Sequence, residues 1–81
     1  MPQHELPSPL PGIFYRRPAP DAPPFKEPGD MVAEGETVGL IEVMKQFTEV
    51  PADAAGRIVR FLVDNEAPVE TEQALLLIET A

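Results

Sequence analysis

The stretch PGDMVAEGETVGLIE, residues 28–42, returns in altered form as NEAPVETEQALLLIE, residues 65–79. Val32 meets Val69, Gly35 meets Glu72, Ile41 meets Ile78 and Glu42 meets Glu79, all at an offset of 37 (69 − 32). A repeat of this kind implies two copies of one supersecondary unit. Upstream, each copy has a glycine leading an apolar run, GIFY from Gly12 and GRIV from Gly56, but there the offset is 44 (56 − 12). The first copy is therefore longer by seven residues (44 − 37), and the surplus falls in or near RPAPDAPPF, residues 17–25. The four prolines of that insertion fix their own φ and restrict the residues before them, so the loop is expected to be stiff and projecting.

Working outward from the repeat, the apolar runs are short and β-rich: IFY at 13–15, TVGLIEV at 37–43, FTEV at 47–50, RIVRFLV at 57–63 and ALLLIE at 74–79. Gly, Pro, Asp and Asn punctuate them, as turn chemistry requires. A helix over 36–49 is the rival reading, opposed by Gly39, the valines and Pro51. Two such halves predict an all-β sandwich or flattened barrel with internal pseudo-two-fold symmetry. Its shared core is expected to hold Phe14, Val32, Leu40 and Ile41 from one half and Ile58, Phe61, Val69, Leu77 and Ile78 from the other.

Eight of the eleven prolines lie within residues 2–24. Residues 1–11 therefore read as a Pro-rich flexible tail or linker, and residues 12–81 as the domain. His4 and Ser8, the sole histidine and serine, fall in that tail, where no base can be held against a nucleophile. The formal charge of −8 opposes binding to a phosphate backbone or an anionic lipid surface, so neither nucleic acid nor membrane is an expected partner. No apolar run is long enough to span a bilayer and the first residues lack a signal-peptide pattern, so the expected compartment is the cytoplasm. The chain has no cysteine, which leaves no thiolate metal site and no disulfide.

The two halves are joined through EVMKQF, residues 42–47. If the flanking strands pair as a hairpin, Met44 and Lys45 form its two-residue tip, a type I′ turn that demands positive φ at both positions. Such a departure from local preference points to function. A lysine there presents a flexible amine far from the core, suited to acylation by a modifying enzyme. Biotin and lipoate are attached to proteins in that way. Phosphopantetheine needs a serine at a helix start, and the only serine lies in the presumptive tail. Glu42 and Glu49 flank the tip, either as contacts for a basic partner or as solvent-facing strand residues. Phe47 is assigned to the core or barrel rim, and Arg16 and Arg17 to salt bridges with neighbouring acids.

Leu10 to Thr80 resembles the biotinyl domain of the biotin carboxyl carrier protein of bacterial acetyl-CoA carboxylase. The likeness rests on GIFYRRPAPDAPPF, similar to that family's first strand and projecting "thumb", and on PGDMVAEGETVGLIEVMK, GRIVRFLVDNEAPVE and LLLIE. The resemblance implies two four-stranded antiparallel sheets, with biotin covalently joined to Lys45. It also implies ligase recognition through Met44 and Glu42. Val43 and Gln46 stand where the family motif has Ala and Met, and Arg17 where its thumb commonly has Thr. The implied partners are a biotin protein ligase, a biotin carboxylase and a carboxyltransferase, between which Lys45 would swing as a non-catalytic carrier. An unmodified interaction module and a lipoyl domain are the alternatives.

Overall fold

The computed structural model describes residues 2–80. Eight strands follow in order: β1 Gln3–Pro7, β2 Gly12–Tyr15, β3 Met31–Val32, β4 Thr37–Val43, β5 Gln46–Pro51, β6 Gly56–Phe61, β7 Ala67–Val69 and β8 Ala74–Glu79. They form two four-stranded antiparallel sheets, β1-β8-β6-β3 and β5-β4-β2-β7. The second order is the first with each strand replaced by its counterpart in the other half, so each sheet draws two strands from either copy of the repeat. Neither half has a sheet of its own; the halves interlock.

The symmetry extends to single backbone bonds. The Glu66 N–H donates to the Phe14 carbonyl at 2.6 Å, and the equivalent Gly29 N–H donates to the Ile58 carbonyl at 2.7 Å. Likewise Gly35 N–H reaches Ala52 O and Glu72 N–H reaches Ser8 O, each at 2.8 Å. Gly12 and Gly56 are needed for close approach: a Cβ at either would overlap a carbonyl oxygen, Glu42 O or Glu79 O, in the same way on both sides.

Residues 3–7 correct the expectation of a tail ending at residue 11. They pair with β8 from Gln3↔Glu79 to Leu6↔Leu76, and Leu6 is buried. β1 is the partner by symmetry of β5: Glu5 matches Glu49, Pro7 matches Pro51 and Gly12 matches Gly56 at the same offset of 44. A proline at the end of an edge strand is tolerated because the outward N–H needs no ladder partner. Ser8 is buried, its Oγ donating to the Leu10 carbonyl at 2.7 Å, and His4 Nε2 lies 2.8 Å from the Asp53 carboxylate.

The core holds Phe14, Val32, Ile41, Ile58, Val69 and Ile78 as the repeat predicts, and adds Leu6, Val38, Val50, Ala52, Leu75 and Leu76. Complete burial of one such aliphatic side chain stabilises by about 1.5–3 kcal/mol. Leu40 and Leu77 are corrections: past the register shifts that leave Val38 and Gly39, and Leu75 and Leu76, buried side by side, the strands alternate and turn both leucines away from the core beside Ile41 and Ile78. Phe61 packs against the core's margin. Two strands, β3 and β7, had escaped the propensity reading because they are two and three residues long.

Candidate functional site

β4 and β5 pair from Gly39↔Val50 to Val43↔Gln46, which leaves Met44 and Lys45 as the two residues that connect them. Both have left-handed backbones, with φ of 51° and 66°. A two-residue connection needs that conformation because its twist matches the strands it joins. The cost of about 1–2 kcal/mol per non-glycine residue is carried by the cross-strand bonds below. Met44 is 91% exposed, and Lys45 is exposed beside it.

The chain has one other lysine, and its amine is committed. Lys26 Nζ lies 2.7 Å from Glu36 Oε2 and donates to the Met31 carbonyl at 3.0 Å. Of the two lysines, Lys45 is the exposed one without an ion pair among the described residues.

Below the turn, the hairpin is tied to β2. The Tyr15 hydroxyl donates to Glu42 Oε1 at 2.8 Å, and its ring meets that of Phe47 at 5.7 Å between centroids. The hydrogen bond to the Glu42 carboxylate, reinforced by partial desolvation, pushes the Tyr15 phenol above its ordinary range and keeps it a donor. Phe47 is 58% exposed on the outer surface of its sheet, a correction to its assignment to the core or rim, because it sits opposite Glu42 on the outward side of the ladder.

The longer β2–β3 connection, residues 16–30, rises from Tyr15; its counterpart between β6 and β7 is residues 62–66. It has no helix or strand and is held by Phe25 N–H to Arg16 O at 2.9 Å, Ala22 N–H to Ala19 O at 3.1 Å, and Arg17 Nη1 to Ala22 O at 3.1 Å. Arg16 is 3.4 Å from Glu27 and lies 4.0 Å over the Phe61 ring. Arg17 makes no salt bridge among the described residues. Between this connection and the hairpin is a cleft of about 290 Å³, lined by Tyr15, Arg17, Pro18, Pro20, Phe47 and Glu66. Sequence reasoning missed Tyr15 as a site residue; an aromatic preceding the insertion was its only signal.

The structure thus brings Glu42, Met44 and Lys45 together at one end of the sandwich. No group of three or more acidic, histidine or cysteine side chains that could hold a metal occurs among the described residues. An exposed amine with a supported, strained turn beneath it is suited to forming an amide with a carboxylate-bearing cofactor.

The family model described as "Biotin-requiring enzyme" matches residues 4–78. The chain is 45% identical over 75 residues to the biotin carboxyl carrier protein of acetyl-CoA carboxylase of a Nostoc species, covering 93% of this chain and 41% of that protein. It is 48% identical over 63 residues to the protein of that name in Chlamydia pneumoniae, covering 78% and 38%. The chain thus spans less than half the length of these curated relatives. Among solved structures, it resembles the Kluyveromyces lactis urea carboxylase, with a TM-score of 0.76 and 28% identity over 98% of this chain and 6% of that one. It also resembles a single-chain, multi-domain long-chain acyl-CoA carboxylase, with a TM-score of 0.77 and 28% identity over 98% and 7%.

Proposed function

Because the chain belongs to the biotin-requiring enzyme family, we propose that it is a biotin carboxyl carrier domain and that Lys45 is its attachment residue. The observation that carries this reading is the contrast between the two lysines: Lys26 is held by Glu36 and Met31, whereas Lys45 stands exposed on a two-residue turn. The relatives' names support biotin as the group attached. In the acylation the Lys45 amine loses a proton, its nitrogen forms the amide bond, and the activating group departs from the cofactor's carboxyl carbon. When attached, biotin supplies a ureido nitrogen that accepts a carboxyl group at one active site and releases it at another.

The chain's own residues position this arm. The paired strands beneath the turn hold Met44 and Lys45 in place, and Glu42, fixed by Tyr15, offers a ligase an oriented carboxylate beside Met44. The domain performs no bond chemistry; it serves a biotin carboxylase and a carboxyltransferase, with tethering that raises the local concentration of the reactive group to about the millimolar range. The acyl acceptor is acetyl-CoA, and the domain works in the cytoplasm beside those enzymes.

Co-expression with a biotin ligase, followed by intact-mass measurement, tests the reading. The expected result is one biotinyl group per chain, lost in Lys45→Arg and retained in Lys26→Arg. A lipoyl group instead would identify a lipoyl domain. An unmodified chain, under conditions that fully modify a control carrier, would leave the interaction-module reading that Val43 and Gln46 favour.

A further inference from the structure

The pseudo-two-fold supplies an internal control for the sheets' outer faces. Alternation from the buried Phe14 and Ile41 turns Ile13, Glu42 and Phe47 outward on one sheet, and alternation from Ile58 and Ile78 turns Arg57, Glu79 and Gln3 outward at the equivalent positions of the other. The backbone demands are the same on both sides. Yet one face has Ile and Phe where the other has Arg and Gln. The matching glutamates also differ in setting: Glu79 is bridged by Arg57 at 3.0 Å, while Glu42 is held by Tyr15. Since Gln3 and Arg57 build this sheet face equally well, packing does not require an exposed phenylalanine at 47.

The apolar face begins two residues beyond Lys45 and opens into the cleft that Phe47 shares with Tyr15. Glu49 and Glu66 are exposed at its margins, and the cation on its far wall, Arg17, is turned to the Ala22 carbonyl. The fitting occupant is a protein surface that presents an apolar side chain ringed by Lys and Arg. An enzyme whose substrates, ATP and bicarbonate, are both anions gains association rate from a cationic active-site mouth, and the acidic margins of this face complement such a mouth. We propose that the outer face of the β5-β4-β2-β7 sheet, centred on Ile13 and Phe47, is the surface by which the domain docks on the biotin carboxylase. The inference rests on the carrier reading for the identity of the partner.

The test uses the whole chain, isotope-labelled, titrated with a purified biotin carboxylase subunit. Amide signals of residues 13, 15, 42, 47 and 49 are expected to broaden, and those of residues 3, 5, 57, 77 and 79 to stay. Ile13→Arg with Phe47→Gln, which copies the other face, should weaken binding at least tenfold, whereas Gln3→Ala with Arg57→Ala changes it less than twofold. Circular dichroism and a thermal melt confirm that both double variants fold, and the titration of the unaltered chain maps the face even if one does not. Perturbation of the opposite face, unchanged binding by the first variant, absence of binding by the unaltered chain, or self-association of the domain through residues 13 and 47 would each overturn the proposal. Intact mass after ligase treatment separates the two readings. A chain that is biotinylated but docks elsewhere keeps the carrier function, and a chain that docks here but is never biotinylated loses it.

Discussion

Gly39 and Phe14 in one half occupy the positions that Leu76 and Ile58 hold in the other. A Cβ on Gly39 would meet the Phe14 ring, its Cζ at 2.8 Å; at the equivalent sites both residues are mid-sized and both are fully buried. The fold therefore fixes the volume of the layer and not its division: a large ring over a bare backbone in one half balances two aliphatic side chains in the other. Close packing explains why the exchange must be concerted. The symmetry is one of backbone bonds, and the side chains are free to break it wherever their sum is kept.

The strongest test copies one half into the other. Gly39→Leu alone forces a side chain into the space of the Phe14 ring and should destabilise by about 3 kcal/mol or more, the upper end for overpacking. Phe14→Ile alone leaves a cavity and should cost about 1–2 kcal/mol, less than full truncation of a phenylalanine. Combined, the two reproduce Ile58 and Leu76, and the double variant should recover at least half of the summed loss. Urea denaturation of the three variants measures the coupling. Strict additivity would show that the halves are not interchangeable in volume.

The same comparison shows what could be read from the sequence. The offsets of 37 and 44 located the insertion, the two halves and the turn at Met44 and Lys45, because glycine and apolar positions carry the repeat. β1 was hidden although HELPSPLPG at 4–12 aligns with TEVPADAAG at 48–56, sharing Glu, Pro and Gly at matching sites. Its prolines gave the composition of a linker, and composition is blind to an edge strand whose outward N–H groups need no partner. Leu40 and Leu77 were misplaced because an apolar residue beside a buried one reads as core until strand alternation is applied. Phe47 had no local signal at all: its exposure follows from its place opposite Glu42, a fact of register.

A smaller effect lies in the turns before β4 and β8. Gly35 and Glu72 are equivalent and both left-handed, at φ of 89° and 71°, so the backbone is imposed by the Gly35–Ala52 and Glu72–Ser8 bonds whatever the side chain. Glycine adopts this region freely and glutamate at a cost of about 1–2 kcal/mol, partly offset by glycine's greater loss of chain entropy. Glu72→Gly should thus stabilise by about 0.5–1 kcal/mol and Gly35→Glu destabilise by a similar amount. A thermal melt of both decides whether the turns are energetically alike. Nothing lies within 4 Å of a Cβ at Gly35, so space does not confound that substitution.

The smallest expected effect concerns protons in these same turns. Glu36 Oε1 accepts from the Ala33 N–H at 3.0 Å, and at the equivalent place Gln73 Oε1 accepts from the Glu70 N–H at 2.9 Å. One turn is closed by a group that titrates and the other by one that does not. The Lys26 ammonium bound to Glu36, aided by the Ala33 N–H, holds that carboxyl below its ordinary range. A carboxyl depressed by folding contributes stability above its unfolded pKa and loses it as pH falls through the folded value. The first turn should therefore weaken at acid pH below the normal glutamate range while the second holds. Glu36→Gln copies the second turn, so the variant should be slightly less stable than the unaltered chain at neutral pH, where it lacks the Lys26 pair, and the gap should close as the pH is lowered. Urea midpoints at a series of pH values measure it; a gap that stays constant, or widens in acid, would mean that the Glu36 turn draws nothing from its charge.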